Sequence, residues 1–497
     1  MSEEYSPPRA KQAGLCLNHP ACLEHDPRAH VPEHPDTPER MSAIDAAWLR
    51  MDRPTNLAII TSVLWFARAP DWEAVEELLR ERLLDRFPRF SQRAVEPRIP
   101  IGMPRWEEDP RFELRRHVHR HRLPAPGDQA TLEAFVATLQ STPLDRDKPL
   151  WSVHLVDGFG DGAAIVWRIQ HCIVDGMSLA RVLLSLSDHA PEAGIAPDVK
   201  QHTPPLPAAA SYAAPAMLAG RKLATAIARE TRYAVVHPGG ILRGRIAGVD
   251  TRSVAKIART GPDTPTVLKG PLGVPQHTSW TTPMSLEDVK QIGRSTGATV
   301  NDVALAALAG ALRDYLAARD GLVEEIRAYM PFNLRPLDEP IPRELGNLFG
   351  LVILALPIGV AARRERLACV QRRMSEIKRT GEGRVAFDGL CMMGISPPGG
   401  ERLWMDFFSA KTTVVVSNMP GADKPIRLAG VTVKGMLIMA PRTGSVGIGV
   451  TIFSYNGRVT FGVNADAGLL PHPDELLRAI VAELRALRRL AAARSGA

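Results

Sequence analysis

Ten consecutive residues, Trp167-Arg168-Ile169-Gln170-His171-Cys172-Ile173-Val174-Asp175-Gly176, carry the side chains best suited to proton chemistry in this chain. An apolar strand-like run ends, His171 follows, and four positions later Asp175-Gly176 turns the chain toward a helix. A loop at a strand end exposes side chains while the sheet fixes their place. Imidazole titrates near neutrality, so His171 suits general-base work. Residue types alone favour a plainer reading, a histidine that caps a backbone group. Cys172 sits beside it, but neighbours on an extended strand point to opposite faces, so the thiol packs away from the base. No Gly-x-Ser-x-Gly elbow competes for the nucleophile role.

The flanking pattern supplies the scaffold. Trp151–Val156 and Ala163–Ile169 read as strands joined by the glycine-rich turn Gly158–Gly162, and Ser178–Leu186 reads as a helix. The turn leads into a strand, which makes it a hairpin and not a phosphate loop. Helices are also expected over Asp71–Leu84, Leu132–Leu139, Ser285–Ser295, Val300–Ala317 and Pro473–Ala493, with Asn301 as a candidate cap. Strands are expected at Ile326–Met330, Leu348–Leu356, Thr412–Val416, Val431–Met439, Val446–Phe453 and Val459–Val463. Strict strand–helix alternation is missing, so the architecture is a mixed-sheet α/β fold in two halves.

Composition narrows the class. The chain has 497 residues, 45% hydrophobic and 23% charged, the balance of a globular protein long enough for two domains. Residues 1–40 are rich in Pro, His and charge and read as a flexible extension. Residues 41–190 form a first half, 191–275 a linker rich in Ala and Pro with one or two helices near 215–235, and 276–497 a second half. Cys16, His19, Cys22 and His25 recur every three residues in the extension, but with no second ligand pair on a scaffold they are read as chance spacing, and no metal is expected. Five scattered cysteines and a polar N-terminus fit a reducing cytosol and show no secretory signal. The apolar stretch Leu348–Ala362 is too short to span a bilayer. A net charge of +7 permits an anionic partner, but only 5% of residues are aromatic and no interleaved Arg/aromatic pattern marks a nucleic-acid surface.

The order Gln170-His171-x-x-x-Asp175-Gly176 resembles the HHxxxDG signature of coenzyme A-dependent acyltransferases with the chloramphenicol acetyltransferase-like fold. Wider comparison is similar to the bacterial wax ester synthase/diacylglycerol acyltransferase family. The resemblance runs from Met41-Ser42-Ala43-Ile44-Asp45 to the C-terminus. It includes Ser141-Thr142-Pro143-Leu144-Asp145, Pro149-Leu150-Trp151, Asn301-Asp302-Val303, Gly346-Asn347, Ser417-Asn418-Met419-Pro420-Gly421 and Ser454-Tyr455-Asn456-Gly457. One position departs: the first His of the signature is Gln170 here.

The resemblance implies two halves around an active-site tunnel with His171 near its middle. It implies an O-acyltransferase that moves a long-chain acyl group from acyl-CoA to a fatty alcohol or diacylglycerol. Acyl-CoA is then a co-substrate and no cofactor is expected. The implied location is the cytoplasm, with peripheral contact at the inner membrane face or lipid bodies. His171 takes the role of base. Asp175 and Gly176 shape the loop, with Arg335 as the partner bracing Asp175, and Gln170 supports or tunes the site. Asn301 either positions substrate or caps its helix. Basic residues Arg363, Arg364, Arg366, Arg372, Arg373, Lys378 and Arg379 either meet coenzyme A phosphates or form a solvated helix face. Two rival readings stay open: a related HxxxDG enzyme acting on another specialised alcohol, and a catalytically silent lipid-binding homologue that retains the tunnel.

Overall fold

The computed structural model describes residues 39–98, 102–188, 251–335, 339–397 and 399–495. The cysteine–histidine run at 16–25, nearly all of the extension and much of the linker lie outside the described residues.

The first half begins with β1 (Glu39–Arg40), α1 (Ala43–Arg50), β2 (Ile59–Phe66), α2 (Trp72–Leu79), β3 (Gln92–Val95) and β4 (Arg105–Glu108). It continues through β5 (Val118–Arg122), α3 (Gln129–Gln140), β6 (Trp151–Phe159), β7 (Gly162–Gln170) and α4 (Gly176–Ser185). The predicted Gly158–Gly162 turn is a hairpin, with Phe159 opposite Gly162. After α5 (Thr251–Arg259) come β8 (Gln276–Trp280), β9 (Met284–Ser285), α6 (Leu286–Thr296), α7 (Val300–Ala317), β10 (Ile326–Asn333) and β11 (Phe349–Leu356). Three helices follow, α8 (Arg363–Arg379), α9 (Glu382–Gly394) and α10 (Gly400–Ser409). The chain ends with β12 (Val414–Pro420), β13 (Arg427–Leu428), β14 (Val431–Met439), β15 (Ile448–Tyr455), β16 (Arg458–Asp466) and α11 (Pro473–Ser495).

Two large mixed sheets organise these elements. One runs β13-β14-β2-β7-β6-β5, the other β11-β10-β12-β15-β16-β8 with β9 beside β16. Strand β14 belongs to the second half by sequence but pairs with β2 of the first, Leu437 opposite Val63. Every residue of β7 is buried, which fits the apolar run from Gly162 to Trp167; Arg168 and Gln170 beyond it are buried too.

Helix α7 is the core of the second half, with Val303 to Leu312 buried throughout. Its cap is Thr299, not Asn301. The Thr299 hydroxyl accepts from the Asp302 backbone N–H at 3.2 Å and Asp302 returns a bond to the Thr299 N–H at 2.9 Å, a reciprocal capping box. The cap thus falls where Thr and Asp stand three apart, two residues before Asn301. Truncating a helix residue here, such as Leu308→Ala, falls in the class that costs about 2–5 kcal/mol.

Candidate active site

Strand β7 delivers Gln170 and His171 to the loop before α4. The His171 N–H donates to the Ala58 carbonyl at 2.8 Å, so the loop is still tied to the start of β2. Asp175 then caps α4, its Oδ1 accepting from the Ser178 N–H at 2.7 Å. Gly176 follows because a side chain there would collide with Met419: its Cβ would lie 2.6 Å from the Met419 sulfur.

A second segment, 345–348, clamps the loop from outside. Val174 bridges Gly346 in parallel fashion, and the Gly346 N–H donates to the Ile173 carbonyl at 3.0 Å. Gly346 has φ +85, a conformation that glycine adopts without strain. Leu348 N–H donates to Asp175 Oδ2 at 3.3 Å.

Asn347 reaches His171 itself. Its Oδ1 lies 2.9 Å from His171 Nδ1, and its Nδ2 donates at 2.7 Å both to the His171 carbonyl and to Asp45 Oδ1. Asp45 sits in the first turn of α1, where Ser42 caps the helix and donates its hydroxyl to Asp45 Oδ2 at 2.6 Å. The His171 ring stacks on Trp48, centroids 4.0 Å apart and planes 12° off parallel, and meets Phe349 at 5.3 Å. It is 5% exposed.

Burial dominates the electrostatics. It pushes the His171 imidazole down to about 4, against the opposing pull of the Asp175 charge, a hydrogen bond to the residue's own carbonyl and the Asn347 hydrogen bond. His171 is therefore neutral at pH 7. Burial also raises Asp45 to about 6, while bonds from Ser42 and Asn347 and the Arg89 charge work against it. Cys172 is buried and its thiol is pushed up, again by burial, which leaves little thiolate.

Gln170 is wholly engaged in bracing. Its Nε2 donates to the Trp48 carbonyl at 3.0 Å and its Oε1 accepts from the Cys172 N–H. The expected Asp175–Arg335 pair does not form. Both Asp175 oxygens are taken by backbone N–H groups, and the Arg335 Nε is buried without a hydrogen-bond partner. Backbone donors at a helix start and a clamping strand do the work that the resemblance assigns to an arginine. Asn301 lies in the first turn of α7, and its Oδ1 accepts from Asn418 of β12 at 2.8 Å. Its hydrogen bond thus goes to β12, next to the Met419 that packs on Gly176, and not to His171.

Of the basic residues considered for phosphate contact, Arg363 and Arg366 both pair with the buried Glu483 of α11. Arg373 pairs with Glu325, and Arg364 donates to the Leu490 carbonyl at 2.9 Å. These four hold α8 against its neighbours.

An apolar cavity adjoins the elements that flank His171. Met51 follows Trp48 at the end of α1, and Leu351 and Ile353 follow Phe349 on one face of β11; Leu390, Met393 and Met405 close the other side. His171 touches Phe349 but is not among the residues lining this cavity.

The residues that position His171, namely Asp45, Asn347, Trp48 and Phe349, were not singled out from sequence as site residues. Asp45 and Asn347 stood inside motifs of the resemblance, which was the available signal.

The chain is 29% identical over 490 residues to the probable diacylglycerol O-acyltransferase tgs1 of Mycobacterium tuberculosis, covering 92% of this chain and 98% of that protein. It is 26% identical over 448 residues to the putative diacylglycerol O-acyltransferase Rv1760 of the same organism, covering 87% of each. The wax ester synthase/diacylglycerol acyltransferase from Marinobacter aquaeolei VT8 shares the fold, with a TM-score of 0.64 at 22% identity over 91% of this chain and 100% of that one. The first condensation domain of the calcium-dependent antibiotic synthetase shares it too, with a TM-score of 0.58 at 15% identity over 92% and 97% of the two chains. Two-domain chloramphenicol acetyltransferase-like architecture is thereby established. With the wax ester synthase/diacylglycerol acyltransferase catalytic domain matched over residues 41–304 and the C-terminal domain of the same family over 345–488, the chain belongs to the wax ester synthase/diacylglycerol acyltransferase family.

Proposed function

We propose that this protein is an acyl-CoA-dependent O-acyltransferase that esterifies a fatty alcohol or diacylglycerol, giving wax ester or triacylglycerol. The observation that carries the reading is a neutral His171, held by Asn347 through Nδ1, on the loop that ends in Asp175-Gly176. His171 accepts the hydroxyl proton as the alcohol oxygen attacks the thioester carbonyl. The tetrahedral adduct collapses, the carbon–sulfur bond breaks, and the imidazolium returns the proton to the coenzyme A thiolate. The step as written consumes no cofactor. The apolar cavity beside Phe349 suits an acyl or alkyl chain, and its walls limit water as a competing nucleophile.

A lipid surface is the natural source of such an acceptor. The outer face of α10 carries Leu403, 75% exposed, with Trp404 and Phe407 also outward, while Met405 and Phe408 of the same helix line the cavity. Among the described residues no helix is long and apolar enough to cross a membrane. Contact through α10 is thus peripheral.

Released thiol, followed with palmitoyl-CoA and a panel of hexadecanol, dioleoylglycerol and a polyketide alcohol, tests the reading. Wild-type protein should turn over one of the lipid acceptors, and His171→Ala should fold and fail to do so. A folded His171→Ala variant with wild-type turnover sinks the mechanism.

A further inference from the structure

The Asn347 side chain has one orientation compatible with its neighbours. One end of the amide faces the Asp45 carboxylate and the His171 carbonyl, each at 2.7 Å. An ionised carboxylate and a carbonyl only accept, so that end is the NH2 group. The oxygen is left facing His171 Nδ1 at 2.9 Å. An amide oxygen also only accepts, so Nδ1 carries the ring hydrogen and the lone pair of the neutral imidazole is on Nε2.

Asp45 anchors this arrangement from the far side. Its Oδ1 takes the Asn347 backbone N–H at 3.1 Å as well as the amide, and its Oδ2 is held by Ser42. The carboxylate also lies in the first turn of α1, where the helix dipole favours negative charge. Asp45, Asn347 and His171 are all buried, so the chain of bonds is not diluted by water.

We infer that Asp45, acting through the Asn347 amide, is the positioning residue of His171: it fixes the hydrogen on Nδ1 and keeps the Nε2 lone pair for the incoming hydroxyl. The Asp45 charge polarises the amide, which strengthens the acceptor facing Nδ1 when the ring becomes imidazolium in the transition state. Asp45, although raised by burial, titrates near 6 and is ionised at pH 7, so the arrangement is intact there. The inference rests on the acyltransferase reading for its kinetic consequence; the tautomer is a property of the protein alone.

The full chain, labelled with 15N at histidine, separates the two. Nitrogen shifts distinguish the tautomers, and His171→Gln identifies the His171 signals. The expected wild-type state has hydrogen on Nδ1. Asn347→Leu leaves the His171 carbonyl as the remaining acceptor toward the ring, so it should weaken but not abolish the Nδ1–H preference and lower kcat by about tenfold or more, with KM for acyl-CoA within about twofold. Asp45→Asn can keep each hydrogen bond, since its Oδ1 still accepts from Asn347 and Ser42 can turn its hydroxyl to accept. It should keep the Nδ1–H tautomer, keep its melting temperature and lose about tenfold in kcat through the missing charge.

A wild-type ring with hydrogen on Nε2 overturns the inference. Wild-type kcat in Asp45→Asn does so as well, and this variant decides the matter if Asn347→Leu does not fold. Should Nδ1–H be found in a protein that turns over no acyl-CoA with any acceptor, the positioning stands and the acyl-transfer reading falls.

Discussion

The Gln170 side chain spans from the Trp48 carbonyl to the Cys172 N–H, tying α1 to the loop that carries His171. The residue that replaces the first histidine of the signature is therefore a backbone clamp with one donor and one acceptor. A neutral imidazole also offers one of each. Gln170→His should retain acyl transfer within a few-fold, whereas Gln170→Ala leaves two buried backbone groups unpaired and should cost about 1–3 kcal/mol in urea unfolding. Complete inactivity of a folded Gln170→His would reveal a chemical role for the amide.

Asp175 is held by two backbone N–H groups and by no ion pair, which sets the scale of its substitution. Asparagine caps helices about as well as aspartate, but its NH2 cannot accept from Leu348. Asp175→Asn should lose about 1 kcal/mol, well short of the roughly 3–5 kcal/mol that breaking a buried ion pair costs. A loss in the larger range, measured by denaturant midpoints at constant slope, would restore an arginine partner to the picture.

Acid should weaken the fold over a defined window. Burial holds His171 near 4 and, with the charges of His119, Arg168 and His121, His154 near 3, both below the ordinary histidine value of 6.5. Their contribution is present above 6.5 and is lost as pH falls, because the unfolded chain binds those protons first. Asp45 acts oppositely: raised from 3.8 to about 6, it favours the folded state at low pH and loses that contribution as pH rises. Burial also holds His117, His119 and His121 below the ordinary histidine value and raises Glu133, so between about 4 and 6 the histidines outnumber the carboxyls that oppose them. Stability should then fall on acidification. Urea titrations across this range check it, and a flat profile contradicts the balance.

The outward face of α10 should govern contact with lipid. Each large apolar side chain moved from water into an acyl region contributes about 1.5–3 kcal/mol. The double change Leu403→Ser with Phe407→Ser should weaken binding to phosphatidylcholine/phosphatidylglycerol vesicles by tenfold or more. Acyl transfer to a water-soluble short-chain alcohol should stay at the wild-type rate. Unchanged vesicle retention would move the lipid contact elsewhere on the surface.

Local signals carried much of the fold. The Ala/Leu run of α7 and the Val431–Met439 strand have the bounds that periodicity gives, Val300–Ala317 and Val431–Met439. Helices α9 and α10 were not foreseen, since Glu382–Gly394 mixes three glycines with charge and Gly400–Ser409 turns its large apolar residues outward. The loop that carries His171 was legible because strand, loop and Asp175-Gly176 are contiguous. Its support was not. Asp45, Asn347 and His171 come from three distant segments, and no local period reports a contact between them. Asp175 misled in a related way, because its partners are backbone groups and carry no residue type to recognise.

Strand β14 has a consequence for how the polypeptide reaches this state. The sheet that delivers His171 is completed by residues synthesised near the end of the chain, Leu437 against Val63 among them. Closing so long a loop precedes the reward of pairing, which slows folding. Until β14 docks, β2 presents an open edge to any other strand nearby. Ribosome-bound intermediates therefore hold the His171 loop before the sheet beneath it is finished, and the last third of the chain acts as the clasp that ends their exposure to aggregation.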